Sequence, residues 1–131
     1  MAKIPEAFQD ILDKKTLVHL ATLGKNGGPQ VSPVWVDRDG DTIIVNSAKG
    51  RVKDRNMRAS DRVALSATDP DNPYRALMIQ GRVVKITEDG ADTHIDKMAK
   101  KYLGKDKYPF RSPEEVRVKY FIEPTSVATM G

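Results

Sequence analysis

Five cations crowd the segment from residue 49 to residue 58: Lys49, Arg51, Lys53, Arg55 and Arg58, with one acid, Asp54, among them. Before them stand a short β-branched run, Ile43-Ile44-Val45, and the small polar residues Asn46-Ser47-Ala48. The run reads as a strand. It empties into a turn at Gly50, and the Gly-free, Pro-free residues that follow suit a helix. The chemistry such a corner offers is anion capture. Unpaired N–H groups and the helix dipole favour negative charge at a helix start, and Lys and Arg add charge-assisted hydrogen bonds. The other reading is a solvated basic face, because charge runs commonly point at water. The segment from Thr42 to Arg58 alone does not choose between them.

Other chemistries are thinly supplied. The absence of cysteine removes disulfides, thiol nucleophiles, thiolate zinc sites and iron–sulfur clusters. Of the two histidines, His19 sits in an apolar run and His94 lies beside Ile95 in a helical pattern. Neither has a sequence partner that would make a nucleophile and base pair. No protein-only metal site is expected. The acids fall mostly in turns and helix starts, and the Walker and dinucleotide glycine motifs are missing. No catalytic residue is named on this basis. Redox chemistry in such a chain belongs to a bound cofactor, which the protein holds and orients.

The totals agree with a single soluble domain over residues 1–131. Charged residues make up 31% and hydrophobic residues 39%, which suits a globular rather than a disordered chain. No apolar run approaches the ~20 residues of a membrane span. The first residues, Met1-Ala2-Lys3-Ile4-Pro5-Glu6, lack the apolar stretch of a signal peptide, so a cytoplasmic protein is expected. The net charge of +4 favours anionic ligands without naming one. Nucleic acid is not the expected partner, because aromatic residues are only 6% and do not alternate with cations on one strand.

Six strands and three helices are predicted to position these residues. Pro5 to Leu12 reads as a short helix, with Phe8, Ile11 and Leu12 on one face. Thr16 to Leu23 is a strand that is apolar on both faces. Asn26-Gly27 closes a hairpin to a second strand, Pro29 to Asp37, in which Pro33 forces an edge, a bulge or an interruption. Asp39-Gly40 leads to the strand that opens the basic segment. Arg62 to Thr68 is the fourth strand. Tyr74 to Thr87 is a long fifth strand with a bulge or bend at Gly81. Asp89 to Tyr102 reads as a helix, with Asp92 or Thr93 near its start and Gly104 as its stop. Val116 to Thr129 is the sixth strand, broken at Pro124. Hairpin-joined strands pair antiparallel, and six of them, apolar on both faces, favour closure into a small barrel.

Two runs carry a family resemblance: Leu20-Ala21-Thr22-Leu23 followed by Gly28-Pro29-Gln30-Val31-Ser32-Pro33-Val34-Trp35, and Val45-Asn46-Ser47 followed by Gly50-Arg51-x-Lys53-x-x-Asn56. The chain resembles the split β-barrel flavin- and deazaflavin-binding proteins related to pyridoxamine 5′-phosphate oxidase. Within them it is most similar to the small coenzyme F420-dependent reductases of actinobacteria. The resemblance implies a mainly β (α+β), six-stranded antiparallel split barrel with flanking helices, forming a homodimer with cofactor sites at the interface. It implies that Ser47, Lys49, Arg51 and Lys53 surround the cofactor phosphate, and that Asn56 orders the helix start. Gln30, Ser32, Pro33 and Val34 would run past the ring system. Met78 and Gln80 would approach the ring or the other subunit's site. Trp35, and Tyr74 after Pro73, would lie on the substrate side. The implied activity is hydride transfer from reduced F420 to conjugated carbonyl compounds or quinones, with coumarin- or aflatoxin-type lactones among the candidates. An FMN-dependent oxidoreductase and a non-catalytic cofactor-binding protein share the same fold. The C-terminus, Ser126 to Gly131, lacks the arginine and histidine cluster that holds pyridoxamine phosphate in the oxidase, which argues against that substrate.

Overall fold

The computed structural model of the chain describes residues 1–131. A single 3-10 turn at Glu6–Phe8 leads into helix α1 (Gln9–Asp13). Strands β1 (Val18–Leu23), β2 (Pro29–Val34), β3 (Val36–Asp39) and β4 (Thr42–Ala48) follow, then α2 (Val52–Ala59). Strands β5 (Arg62–Thr68) and β6 (Ala76–Thr87), helix α3 (Ala91–Leu103) and strand β7 (Arg117–Met130) complete the chain. The seven strands form one sheet in the order β2-β1-β5-β6-β7-β4-β3. Every pairing is antiparallel.

The strand count corrects the expected six, and the residues around Pro33 give the reason. The predicted strand from Pro29 to Asp37 is cut at Trp35. Its first half pairs with β1, with Val34 opposite Val18, and its second half pairs with β4, with Val36 opposite Val45. Proline cannot donate to a ladder, so Pro33 suits an edge. The two halves therefore lie on opposite edges of the sheet, joined by one residue. Two residues span at most ~7 Å of chain, so the edges must curl back to meet. The result is a barrel closed by covalent continuity at one seam instead of by hydrogen bonds.

Inside the curl, the alternate residues of each strand form the core, with Leu20, Val45, Leu77, Val118 and Tyr120 all at or near zero exposure. Strands β6 and β7 run past each other with two irregularities, which leave Thr125 and Val84 as extra residues. Gly81 lies at the first of them. A Cβ there would sit 2.9 Å from both the Glu123 carbonyl oxygen and Ile122 Cγ2, so only glycine fits this crossing. Pro124 does not end the last strand. It occupies the bulge, where no ladder donor is needed, and β7 continues to Met130. The first predicted helix is present over about its expected span, but its first turn, Glu6–Phe8, is 3-10 and only Gln9–Asp13 is α-helical. Helix α3 packs on the outer face of β4 and β7. It is bounded by Gly90 and Gly104, and neither Asp92 nor Thr93 caps it.

Candidate functional site

The basic corner is built by an acid. β4 ends at Ala48, and the chain turns through Gly50 at φ 91°, a left-handed conformation that favours glycine. The Gly50 N–H donates to Asp54 Oδ2 at 2.8 Å. Asp54 Oδ1 accepts from Arg58 Nε and from the buried Tyr120 hydroxyl. Burial pushes the Asp54 carboxyl up, but these bonds outweigh it and hold the carboxyl below its ordinary value. Burial and the Asp54 carboxylate together push the Tyr120 phenol well above its usual range. Asp54 thus clamps the turn, and α2 begins with no side-chain cap. Its first N–H groups are left for water or a ligand.

A cleft of about 210 Å³ opens beside this turn. Arg51, Lys53 and Arg117 line it with Pro33, Val34 and Trp35 of the barrel seam. Lys53 Nζ reaches back to Ser32 Oγ at 3.3 Å, so α2 touches β2 directly. Burial pushes the Lys53 ammonium down, and repulsion from Arg51 and Arg117 adds to it. The Arg117 guanidinium pairs with Glu115 and lies over the Tyr108 ring, 5.2 Å from its centre. Arg51 reaches the same Glu115 at 3.5 Å. Two arginines therefore share one carboxylate while Lys53 has none, so the cleft carries surplus positive charge.

Aromatic rings form the opposite wall. Trp35 stacks on Tyr102 with ring centres 5.1 Å apart and planes within 8°. Tyr108 meets Trp35 edge-on at 6.0 Å, and Phe110 meets Tyr108 the same way. The Tyr102 hydroxyl accepts from Val36 N–H and donates to the Thr16 carbonyl, which fixes both sides of the seam. Flat rings beside fixed cations suit a planar, negatively charged ligand.

The structure gathers some of the sequence-predicted residues and separates others. Ser32, Pro33, Val34, Trp35, Arg51 and Lys53 come together at this cleft or its edge. Gln30 lies on the same face of β2 as Ser32, near Thr22. Asn56 does not order the helix start: its amide donates to Thr22 Oγ1 at 3.0 Å and ties α2 to β1. Ser47 points into the barrel and does not line the cleft, and its Oγ is buried without a hydrogen-bond partner. Lys49 is exposed and faces Glu88 at 3.6 Å. Met78 and Gln80 lie on the outer face of β6, three strands from β2 and so ~14 Å away. There they line a second, largely apolar cleft of about 410 Å³ with His19 and Val31. Tyr74 is exposed ahead of β6, outside both clefts. Sequence reasoning missed Asp54 as the clamp, Arg117 and Tyr108 as cleft residues, and Glu115 as the partner of Arg117. The available signal was slight: Arg117 is a cation between Val116 and Val118 at the start of a strand.

Fold and site together define a split barrel with a cationic corner at its seam. Residues 4–128 match the family model described as pyridoxamine 5′-phosphate oxidase, and the chain belongs to that family of split-barrel, flavin-type oxidoreductases. Among solved structures, an F420 reductase is 33% identical with a TM-score of 0.84, covering 95% of this chain and 98% of its own. A conserved hypothetical protein of Mycobacterium tuberculosis is 18% identical with a TM-score of 0.74, covering 99% and 86%. An FAD-binding protein of Mesorhizobium loti is also 18% identical, with a TM-score of 0.70 and coverage of 96% and 93%. These two likenesses show the fold alone. No curated protein matches the chain.

Proposed function

We propose that the chain is an F420H2-dependent oxidoreductase acting on conjugated carbonyl compounds or quinones. The observation that carries this reading is the cleft that Arg51, Lys53 and Arg117 line beside Trp35 and Tyr108, with only Glu115 pairing the two arginines. The 33% identical F420 reductase supports the choice of deazaflavin. When bound, the reduced deazaflavin supplies the hydride. The protein's own part is binding, orientation and exclusion of water.

Arg51 and Lys53, with the uncapped start of α2, hold the phosphate. Arg117 adds a fixed guanidinium. The seam residues Ser32 to Trp35 run along the ring system, and Trp35 and Tyr108 enclose the substrate side. Two such chains pair through the outer face that carries Val31, which is 60% exposed, and Met78. Val31 is an apolar side chain in open solvent on a sheet face with its own cleft, and a second subunit would cover both.

The test is a titration of F420 followed by the fluorescence of the single tryptophan, Trp35. Quenching at micromolar F420, with little response to FMN, is the expected result. A protein that ignores F420 at tens of micromolar, or that purifies yellow with bound flavin, overturns the choice of cofactor. Turnover with reduced F420 against enones, quinones and coumarin-type lactones then identifies the acceptor. No turnover with any of them, despite tight binding, leaves a cofactor-binding protein.

A further inference from the structure

From the cleft wall, which Arg117 and Asn46 line, inward to Asp37, four polar side chains from four separate elements join end to end. Arg117 on β7 donates its Nε–H to Asn46 Oδ1 on β4 at 2.9 Å. Asn46 Nδ2 donates to the Ala91 carbonyl oxygen at 2.9 Å and lies 3.1 Å from His94 Nδ1 on α3. His94 Nε2 lies 3.1 Å from Asp37 Oδ2 on β3. Lys97 closes the outer end, donating to the same oxygen at 3.0 Å. His94 and Arg117 are buried, and the Asp37 side chain is only 15% exposed.

The chemistry of the neighbours leaves one arrangement of protons. The Ala91 carbonyl can only accept, and Arg117 Nε can only donate. Each alone fixes the Asn46 amide, and both fix it the same way, with Nδ2 toward Ala91 and His94. His94 Nδ1 must then accept. Its proton sits on Nε2 and is donated to the Asp37 carboxylate, which can only accept. Burial pushes the Asp37 carboxyl up, but the bonds from His94 and Lys97 outweigh it and keep it ionised.

We infer that Asp37, His94 and Asn46 are positioning residues that hold the Arg117 guanidinium in its binding orientation through one obligatory histidine tautomer. Arg117 spends Nε on Asn46 and Nη1 on Glu115, and Nη2 makes no hydrogen bond within the protein. The relay therefore decides where Nη2 points in the cleft. An arginine aimed in advance loses less side-chain freedom when an anion arrives. The role assigned to Arg117 in holding the cofactor rests on the proposed function. The proton arrangement behind it does not.

The test is Asp37→Leu, which keeps the bulk and removes the acceptor for His94 Nε2–H. The imidazole then loses the partner that holds its proton on Nε2 and its ring toward Asn46, and the relay breaks. With only two histidines in the chain, nitrogen NMR reads the His94 tautomer directly. Wild type is expected in the Nε2–H form with a slowly exchanging Arg117 Nε–H. Asp37→Leu is expected to lose the single Nε2–H form, speed that exchange and weaken F420 binding roughly tenfold. The affinity loss is expected to vanish in an Arg117→Ala background. Lys97→Ala removes a charge from the same carboxylate and is expected to change neither tautomer nor exchange. Asn46→Ala removes the acceptor outright and is expected to speed Arg117 exchange as Asp37→Leu does. An Nδ1–H tautomer in wild type, or unchanged Arg117 exchange in both Asp37→Leu and Asn46→Ala, overturns the inference. If wild type ignores F420 while the exchange changes occur, the cofactor reading falls and the relay stands.

Discussion

Lys53 is the residue on which the cofactor reading leans most. It has no carboxylate partner, it touches Ser32, and two arginines oppose its charge. An anion arriving there gains a charge-assisted bond and relieves that repulsion at once. Lys53→Ala is expected to weaken F420 binding by about 10- to 100-fold, from ~1.5–3 kcal/mol per such bond, with little change in thermal stability. Arg51→Ala is expected to do less, because Glu115 already offsets part of the Arg51 charge. Isothermal titration of both variants checks the order. The same scale shows what the sequence made legible. The contiguous run from Lys49 to Arg58 announces its charge without any fold. Arg117 stands some sixty residues downstream, inside a pattern that reads as an ordinary alternating strand, and Glu115 lies just ahead of it. Asp54 looked like a lone acid diluting the cations, yet it is the residue that bends the chain around Gly50.

At the scale of elements, strand signals were readable wherever β-branched runs met Asn-Gly or Asp-Gly turns. The joint at Trp35 was not, because periodicity fixes a strand's face and not its neighbour. Pro33 marked an interruption, but only the pairing shows that the two halves belong to opposite edges. The crossing of β6 and β7 depends on Gly81, and Gly81→Ala drives a methyl group into the Glu123 carbonyl. A loss of about 1–3 kcal/mol in urea unfolding is expected from such overpacking. Helix α1 is docked by charge. Arg75 bridges Asp10 and Asp69, and Lys14 also reaches Asp69. The Asp71 N–H and Lys14, with Arg75, hold the Asp69 carboxyl down at about 2. Its folded value lies below its unfolded value of about 3.9, so the stability it contributes is present above pH ~4 and is lost as pH falls toward 2. Asp69→Asn is therefore expected to lower Tm at pH 7 and to flatten the fall in Tm between pH 4 and pH 2. A variant with the wild-type slope would show that Asp69 does not contribute to acid sensitivity.

For the whole molecule, the decisive surface is the outer face of β2, β1, β5, β6 and β7. Val31 and Met78 stand there beside His19, on the side of the sheet away from the core. If two chains pair on this face, Val31→Glu and Met78→Glu place charges in the contact. Light scattering is then expected to shift from dimer to monomer, with weaker F420 binding, while the monomer keeps its strand content. A wild-type chain that is monomeric at tens of micromolar would remove the dimer and leave Met78 and Gln80 without a role.

The single-residue seam has one more consequence. A sheet closed by hydrogen bonds has no free edge, but this one gathers its unpaired backbone into one strip. Pro33 has no N–H, and neither the N–H nor the C=O of Trp35 has a backbone partner. A ligand laid along that strip would stand in for the missing ladder, like a last tooth closing a zip. Binding should then appear first as slowed amide exchange at Val34 to Val36 and a raised Tm, before any chemistry occurs.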